Sequence, residues 1–157
     1  MTLRQQAEAA LAALISRGPG PHTLRAKDGA TALECELTAL DTLACAFTRL
    51  TVRTDALADA SMEKLKRTAE SLSKRLTYLL EPIAPIESDA EQCLVQLRSA
   101  PPEREDGKST YYELIIRRGG EVSLCRYLKS ADATREIIPA QVTREVLLRL
   151  IGDLSVV

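Results

Sequence analysis

A β-hairpin between residues 111 and 128 is the feature that most constrains what this chain can fold into. Two stretches rich in apolar and aromatic residues, Tyr111 to Ile116 and Val122 to Tyr127, flank Gly119-Gly120. Adjacent glycines supply the positive φ angles that a two-residue hairpin turn requires. The expected fold is therefore built around an antiparallel sheet that contains this hairpin.

A two-residue turn also fixes which side chains share a face. In this register Leu114 lies opposite Cys125 on a face suited to the core. Glu113 lies opposite Arg126 on the second face, where the two form a cross-strand charge pair. The second face keeps considerable apolar area beside arginines, and monomers rarely leave such patches in water. Its residues are the candidate partner-binding residues: Tyr111, Ile115, Arg117, Val122, Leu124, Arg126 and Leu128.

Three kinds of cover would suit this second face. The first or last helix of the chain itself could lie across it. A second copy or another protein could cover it instead, because tyrosine and arginine beside aliphatic residues are enriched at interfaces. The same tyrosines and arginines could stack with a single-stranded nucleic acid, although no RNA-binding motif accompanies them.

Three segments show the three-to-four-residue spacing of amphipathic helices. Thr2 and Gln5 form a capping box for a helix over residues 2–17, and Pro139 is expected to open the last helix. Between residues 59 and 80 the apolar spacing predicts a six-turn helix with one narrow stripe. That stripe packs on the protein's own sheet or pairs with another helix, and three heptads do not decide between the two.

Alternating apolar and polar residues predict the remaining strands. The strands are expected over residues 33–38, 44–54 and 93–98, with a further one at 22–26. Gly18 to Pro21 interrupts the chain after the first helix. Residues 101–109, which read PPEREDGKS, are expected to form an exposed loop.

The order helix, strands, long helix, strands, helix predicts an α+β fold, with a long central helix and N- and C-terminal helices packed on an antiparallel sheet. A chain of 157 residues is long enough to bury one core. We therefore expect a single domain over residues 1–157. Residues 1–21 form its N-terminal helix and Gly/Pro connection.

Charge and cysteine usage restrict the partners and the compartment. A net charge of −1 gives no overall attraction to nucleic acid or to anionic membranes, so neither is expected as a partner. The apolar run at residues 11–15 is too short to span a bilayer. Cys35, Cys45, Cys93 and Cys125 are expected to be reduced thiols of a cytoplasmic protein, with a Cys35–Cys45 disulfide as the alternative.

Catalytic signatures are missing from the sequence. The only histidine, His22, follows a Gly/Pro-rich connection, and no nucleotide-binding, nucleophile-elbow or metalloprotease motif occurs. Glu34 and Glu36 share one strand face, which is more typical of a solvated face than of an acid–base pair. We therefore expect no enzyme and assign no catalytic residue, cofactor or metal site.

These observations favour a non-catalytic protein-binding or adaptor module that acts as a homodimer. The order of elements is similar to that of the small acidic chaperones of bacterial type III secretion, and the resemblance implies an α+β dimer that holds extended partner segments. The alternative is a small-molecule-binding domain. Its pocket would lie between the long helix and the sheet, lined by Tyr112 and Tyr127.

Overall fold

The computed structural model describes residues 1–157 and contains three α-helices and ten strands. The helices are α1 (Leu3–Ile15), α2 (Met62–Arg75) and α3 (Arg144–Ser155), and one 3-10 turn covers Asp55–Leu57. The strands are β1 (His22–Asp28), β2 (Thr31–Leu40), β3 (Ala44–Thr54), β4 (Ile83–Asp89), β5 (Leu94–Ser99), β6 (Glu103–Glu105), β7 (Lys108–Arg117), β8 (Glu121–Ser130), β9 (Glu136–Ile138) and β10 (Ala140–Thr143).

All ten strands belong to one antiparallel sheet. Seven strands follow one another in the order β1-β2-β3-β8-β7-β5-β4, while β10 pairs with β3, β6 with β7 and β9 with β8. The first three strands form a meander, and the β7–β8 hairpin belongs to the second half of the chain. β3 joins the two halves, because it pairs with β8 over only four residues each, Leu50–Arg53 with Glu121–Leu124, and with the four residues of β10 at its other end.

The core lies between the helices and one face of the sheet. α1 packs on β1 and β2, α2 packs on β4, β5 and β7, and α3 packs on β3 and on α1. A single cluster of 32 buried residues joins helix residues such as Leu11, Leu72 and Leu150 to strand residues such as Leu50 and Leu124. The antiparallel α+β architecture expected from the sequence is thus confirmed. None of the helices is long and apolar enough to cross a membrane.

The prediction of a long central helix is wrong. α2 begins after its N-cap residue Ser61 and ends at Arg75, so it has 14 residues. The apolar spacing continues beyond Arg75 because Leu76, Tyr78 and Leu79 also contact the core, although the chain there has left the helix. The stripe of α2 packs on the protein's own sheet, which is one of the two predicted arrangements.

The predicted hairpin exists, but its predicted register is wrong by one residue. Arg117 pairs with Glu121, so the turn contains Arg118, Gly119 and Gly120 rather than two glycines alone. Tertiary contacts hold this longer turn. The amide of Gly119 donates to the carbonyls of Leu57 and Ala58 at 3.2 and 3.1 Å, and the carbonyl of Gly120 accepts from the amide of Thr54 at 2.8 Å.

Among the other predicted elements, the first helix and four strands are found, whereas the segment 101–109 and the start of the last helix differ from the prediction. The capping box of Thr2 and Gln5 is present, and all four strands predicted at residues 22–26, 33–38, 44–54 and 93–98 are found. The segment 101–109 is exposed but is not a loop, because β6 pairs with β7 across Asp106-Gly107. The last helix starts at Arg144 rather than near Pro139, because residues 140–143 pair with β3 first.

Candidate partner-binding face

All three helices cover the same face of the sheet, so the opposite face carries no element of the chain except a short loop near Arg135. We call this opposite face the open face. Cross-strand pairing places its central side chains in rows. From β3 to β5 these side chains are Arg49, Thr51 and Arg53; Glu121, Ser123, Cys125 and Tyr127; Tyr111, Glu113, Ile115 and Arg117; and Leu94, Gln96 and Arg98.

The seven predicted partner-binding residues are divided between the two faces. Tyr111, Ile115 and Arg117 lie on the open face, whereas Val122, Leu124, Arg126 and Leu128 lie on the helix side. The division follows from the three-residue turn, because a shift of one residue moves every β8 side chain to the other face. Val122 and Leu124 belong to the core and are fully buried.

Arg126 is held in a buried ion pair on the helix side. Its guanidinium lies 3.2 Å from a carboxylate oxygen of Glu81, and the two residues are only 5% and 8% exposed. The same oxygen accepts a hydrogen bond from the hydroxyl of Ser99 at 2.8 Å, and the guanidinium stacks on the ring of Tyr112. The expected pair of Arg126 with Glu113 is therefore wrong.

A cavity of about 560 Å³ opens beside this ion pair, lined by Arg126, Tyr112 and acidic residues of the β6–β7 hairpin. It does not lie between α2 and the sheet, where core leucines fill the space. The two tyrosines expected in one pocket are separated by the sheet, since Tyr112 faces the core and Tyr127 lies on the open face.

Glu113 is the centre of a polar cluster on the open face. It is only 4% exposed, yet it accepts hydrogen bonds from Arg135 at 3.0 Å, from Gln96 at 2.8 Å and from Arg98 at 3.3 Å. Burial raises the pKa of its carboxyl group, but the hydrogen bonds from Arg135 and Gln96 outweigh that effect and hold the pKa below its ordinary value of 4.5. Glu113 is therefore an ionised anchor at neutral pH.

Two tyrosines extend this cluster. The rings of Tyr111 and Tyr127 lie side by side, with their centroids 6.0 Å apart. The guanidinium of Arg98 lies 4.5 Å from the Tyr111 ring, and that of Arg135 lies 3.8 Å from the Tyr127 ring. Such contacts restrict the rotamers of long side chains, so the cluster is ordered before anything binds to it.

A groove of about 380 Å³ runs along β8 next to the cluster. Its floor is made of the small, buried side chains of Ser123 and Cys125, and its rim includes Arg49 on β3 and Arg117 on β7. We call this cleft the β8 groove. Burial raises the pKa of Cys125, which is therefore a protonated thiol and a poor nucleophile at neutral pH.

No protein family, curated protein or solved structure matches this chain. The function must therefore be inferred from the geometry of its own surfaces.

Sequence reasoning missed the residues that organise the open face. Arg135 lies in a short connection with no recognisable pattern, and its role depends on a fold that brings the connection over β7 and β8. Arg49 sits in the predicted strand 44–54, but no sequence pattern assigned it a neighbour or a role. Ser123 and Cys125 were assigned to the core face by the shifted register.

Proposed function

We propose that this chain is a non-catalytic protein-binding module that contacts a partner protein through the open face. The observation that carries the proposal is the placement of all three helices on one side of the sheet, which leaves the other side free. That free side presents the exposed Arg49 and Arg117 and the partly exposed Tyr127 around the half-buried Ile115. Tyrosine and arginine are among the residue types that dominate binding energy at protein interfaces.

The chemistry of the open face favours a different protein over a second copy as the occupant. Apart from Ile115, Leu94 and the two tyrosines, its central side chains are polar, charged or a thiol. Homodimer interfaces are more apolar than this, whereas non-obligate interfaces combine a few anchors with many polar contacts. The homodimer expected from the sequence is therefore an alternative outcome of the test below rather than the proposed complex.

The order of helices and strands is compatible with the expected adaptor or chaperone-like role. The helices bracket two groups of strands, an order that resembles that of type III secretion chaperones. We propose accordingly that the partner is presented to the open face as a segment of a larger protein. Cytoplasmic location is part of the same proposal, and the four free thiols support it.

The proposal is tested by site-specific photo-crosslinking in the native cell. One variant carries the crosslinker at Leu94, a partly exposed residue of the open face, and a comparison variant carries it at Arg67, an exposed residue of α2 on the other side of the molecule. A discrete adduct from position 94 alone is expected. Adducts from position 67 alone, or from neither position, contradict the proposal.

The partner protein that the crosslink identifies is then purified on its own, and its affinity for this chain is measured by calorimetry. Ile115→Lys should weaken binding at least about tenfold, because it places a charge in the centre of the contact surface. Arg67→Glu should leave the affinity unchanged, and circular dichroism should show both variants folded. Equal affinity for Ile115→Lys would refute the role of the open face. Light scattering tests the alternative occupant. If the chain is a dimer and Ile115→Lys dissociates it, the open face binds a second copy and the choice of a different partner protein is wrong.

A further inference from the structure

The β8 groove contains two arginines that the protein does not neutralise. Arg49, Arg117 and Arg135 line it together with Glu113 and Glu121. The neighbouring charges are Arg53, Arg98 and Glu36, so the groove and its surroundings hold five arginines and three glutamates. Five positive charges and three negative charges leave a local excess of two. The protein as a whole carries a net charge of −1, so this excess is a local feature of the open face.

The carboxylates nearest to Arg49 and Arg117 form no ion pair with them. Glu121 is opposite Arg117 in the hairpin, but its ion pair is with Arg53 at 3.3 Å. Glu36 is opposite Arg49 in the sheet, but the two side chains form no ion pair, and Glu36 instead accepts a hydrogen bond from the hydroxyl of Thr23. Neither Arg49 nor Arg117 makes an ion pair or a side-chain hydrogen bond. Their guanidinium donors therefore remain available.

The third carboxylate, Glu113, is already neutralised. Arg135 and Arg98 both bind it, and Gln96 donates a further hydrogen bond. It therefore does not compete for Arg49 or Arg117 and does not strongly repel an anion in the groove. The floor supplies one more donor, because the hydroxyl-bearing Ser123 lines the groove and is 6% exposed.

We propose that the β8 groove binds a single carboxylate or phosphate group between Arg49 and Arg117, over Ser123. The groove volume of about 380 Å³ lies near the lower end of ligand pockets, which span roughly 300–1,000 Å³. It has room for one acidic side chain or one phosphate with its stem. The inference rests on the proposed function in one respect, namely that the anionic group belongs to the partner protein.

The experiment uses inorganic phosphate and glutarate as probes for the two anion types. Each is titrated into the full chain at constant ionic strength, and the amide signals of Ser123 and Cys125 are followed by NMR. Arg49→Gln and Arg117→Gln each remove one charged donor, and a hydrogen bond to a charged group is worth about 1.5–3 kcal/mol, so each should weaken the binding of the preferred probe about tenfold or more. The tighter of the two probes identifies the group as phosphate or carboxylate.

Arg25→Gln is the matched control, because Arg25 is an exposed arginine of the same face that lies outside the groove and is paired with Glu34. The affinity of the Arg25→Gln variant for both probes should equal that of the wild type. If Arg25→Gln weakens binding as much as Arg117→Gln, the effect is general screening and the site is refuted. Absence of any shift at Ser123 and Cys125 with both probes refutes it as well.

The two proposals fail in different ways. If Ile115→Lys disrupts the partner complex while Arg49→Gln and Arg117→Gln leave it intact, the open face binds the partner but the anion site is wrong. If the probes bind with the expected dependence on Arg49 and Arg117 while Ile115→Lys has no effect on the partner, the site is an anion site of another kind and the proposed function is wrong.

Discussion

Removal of Arg126 is expected to destabilise the fold strongly, because this arginine is buried in an ion pair. An arginine exposed on the surface of a hairpin could be replaced with little effect. Arg126→Ala leaves the carboxylate of Glu81 buried, with the Ser99 hydroxyl as its remaining donor. Breaking a buried ion pair by removing one partner costs about 3–5 kcal/mol, mainly because the other charge stays desolvated. The contact with Glu103 adds little to this cost, since Glu103 is 60% exposed.

This cost is a large part of the stability of an ordinary protein, which is about 5–15 kcal/mol. It is measured by urea unfolding at neutral pH, followed by circular dichroism. Arg25→Ala is the control, because the Arg25–Glu34 pair is 70% and 43% exposed and such pairs contribute about 0–1 kcal/mol. The double variant Glu81→Leu with Arg126→Met removes both charges together. It should recover much of the lost stability, since apolar residues of similar size can replace a buried pair.

Two results would refute this reasoning. A loss below about 1 kcal/mol for Arg126→Ala would mean that the Glu81 carboxylate is hydrated in solution, as an exposed pair would be. A double variant as unstable as Arg126→Ala would mean that the cost comes from lost packing of the arginine on Tyr112 rather than from an unpaired charge.

Three further predictions concern the turn, the acid limit and the thiols. Gly119→Ala and Gly120→Ala both place a side chain at a φ near +100°, which costs roughly 1–2 kcal/mol. Only at Gly120 would the new Cβ lie 2.3 Å from a backbone oxygen, which adds roughly 1–3 kcal/mol, so equal urea midpoints for the two variants would contradict this reasoning. Folding lowers the pKa of Glu113, so the stability that its carboxylate contributes is complete above the ordinary pKa of 4.5 and is lost as the pH falls through the lower pKa of the folded state. The wild type should therefore lose more stability on acidification than Glu113→Gln does. Cys93 should react first with an alkylating reagent because it is partly exposed, whereas Cys35 is buried and its pKa is strongly raised, so rapid modification of Cys35 in mass spectrometry would show that the region opens.

Local patterns predicted the elements whose neighbours are close in sequence. The capping box of Thr2 and Gln5 fixed the start of α1, and alternation located β2 and β3. β4 was not predicted, and its Pro85 is tolerated because β4 is the last strand of the sheet. In each case the signal used was a local one.

The candidate site depended on contacts that are distant in sequence. Two glycines indicate a two-residue turn by local propensity, but Thr54, Leu57 and Ala58 hold a three-residue turn through hydrogen bonds. The extra turn residue, Arg118, moves Val122, Leu124 and Arg126 from the predicted second face to the face that the helices cover. Tertiary contacts override local turn preference here, and the two-faced character of the hairpin was correct while the assignment of β8 residues to faces was not.

The short pairing of β3 with β8 has a consequence for the order of folding. The β1–β3 meander and the β7–β8 hairpin close short loops, whereas pairing of Leu50–Arg53 with Glu121–Leu124 must first bring together segments that are far apart in the chain. We expect this pairing to form late and to limit the folding rate, as non-local strand contacts do. Arg49 belongs to one half and Arg117 to the other, so an anion bound between them would hold the two halves together and slow their separation during unfolding.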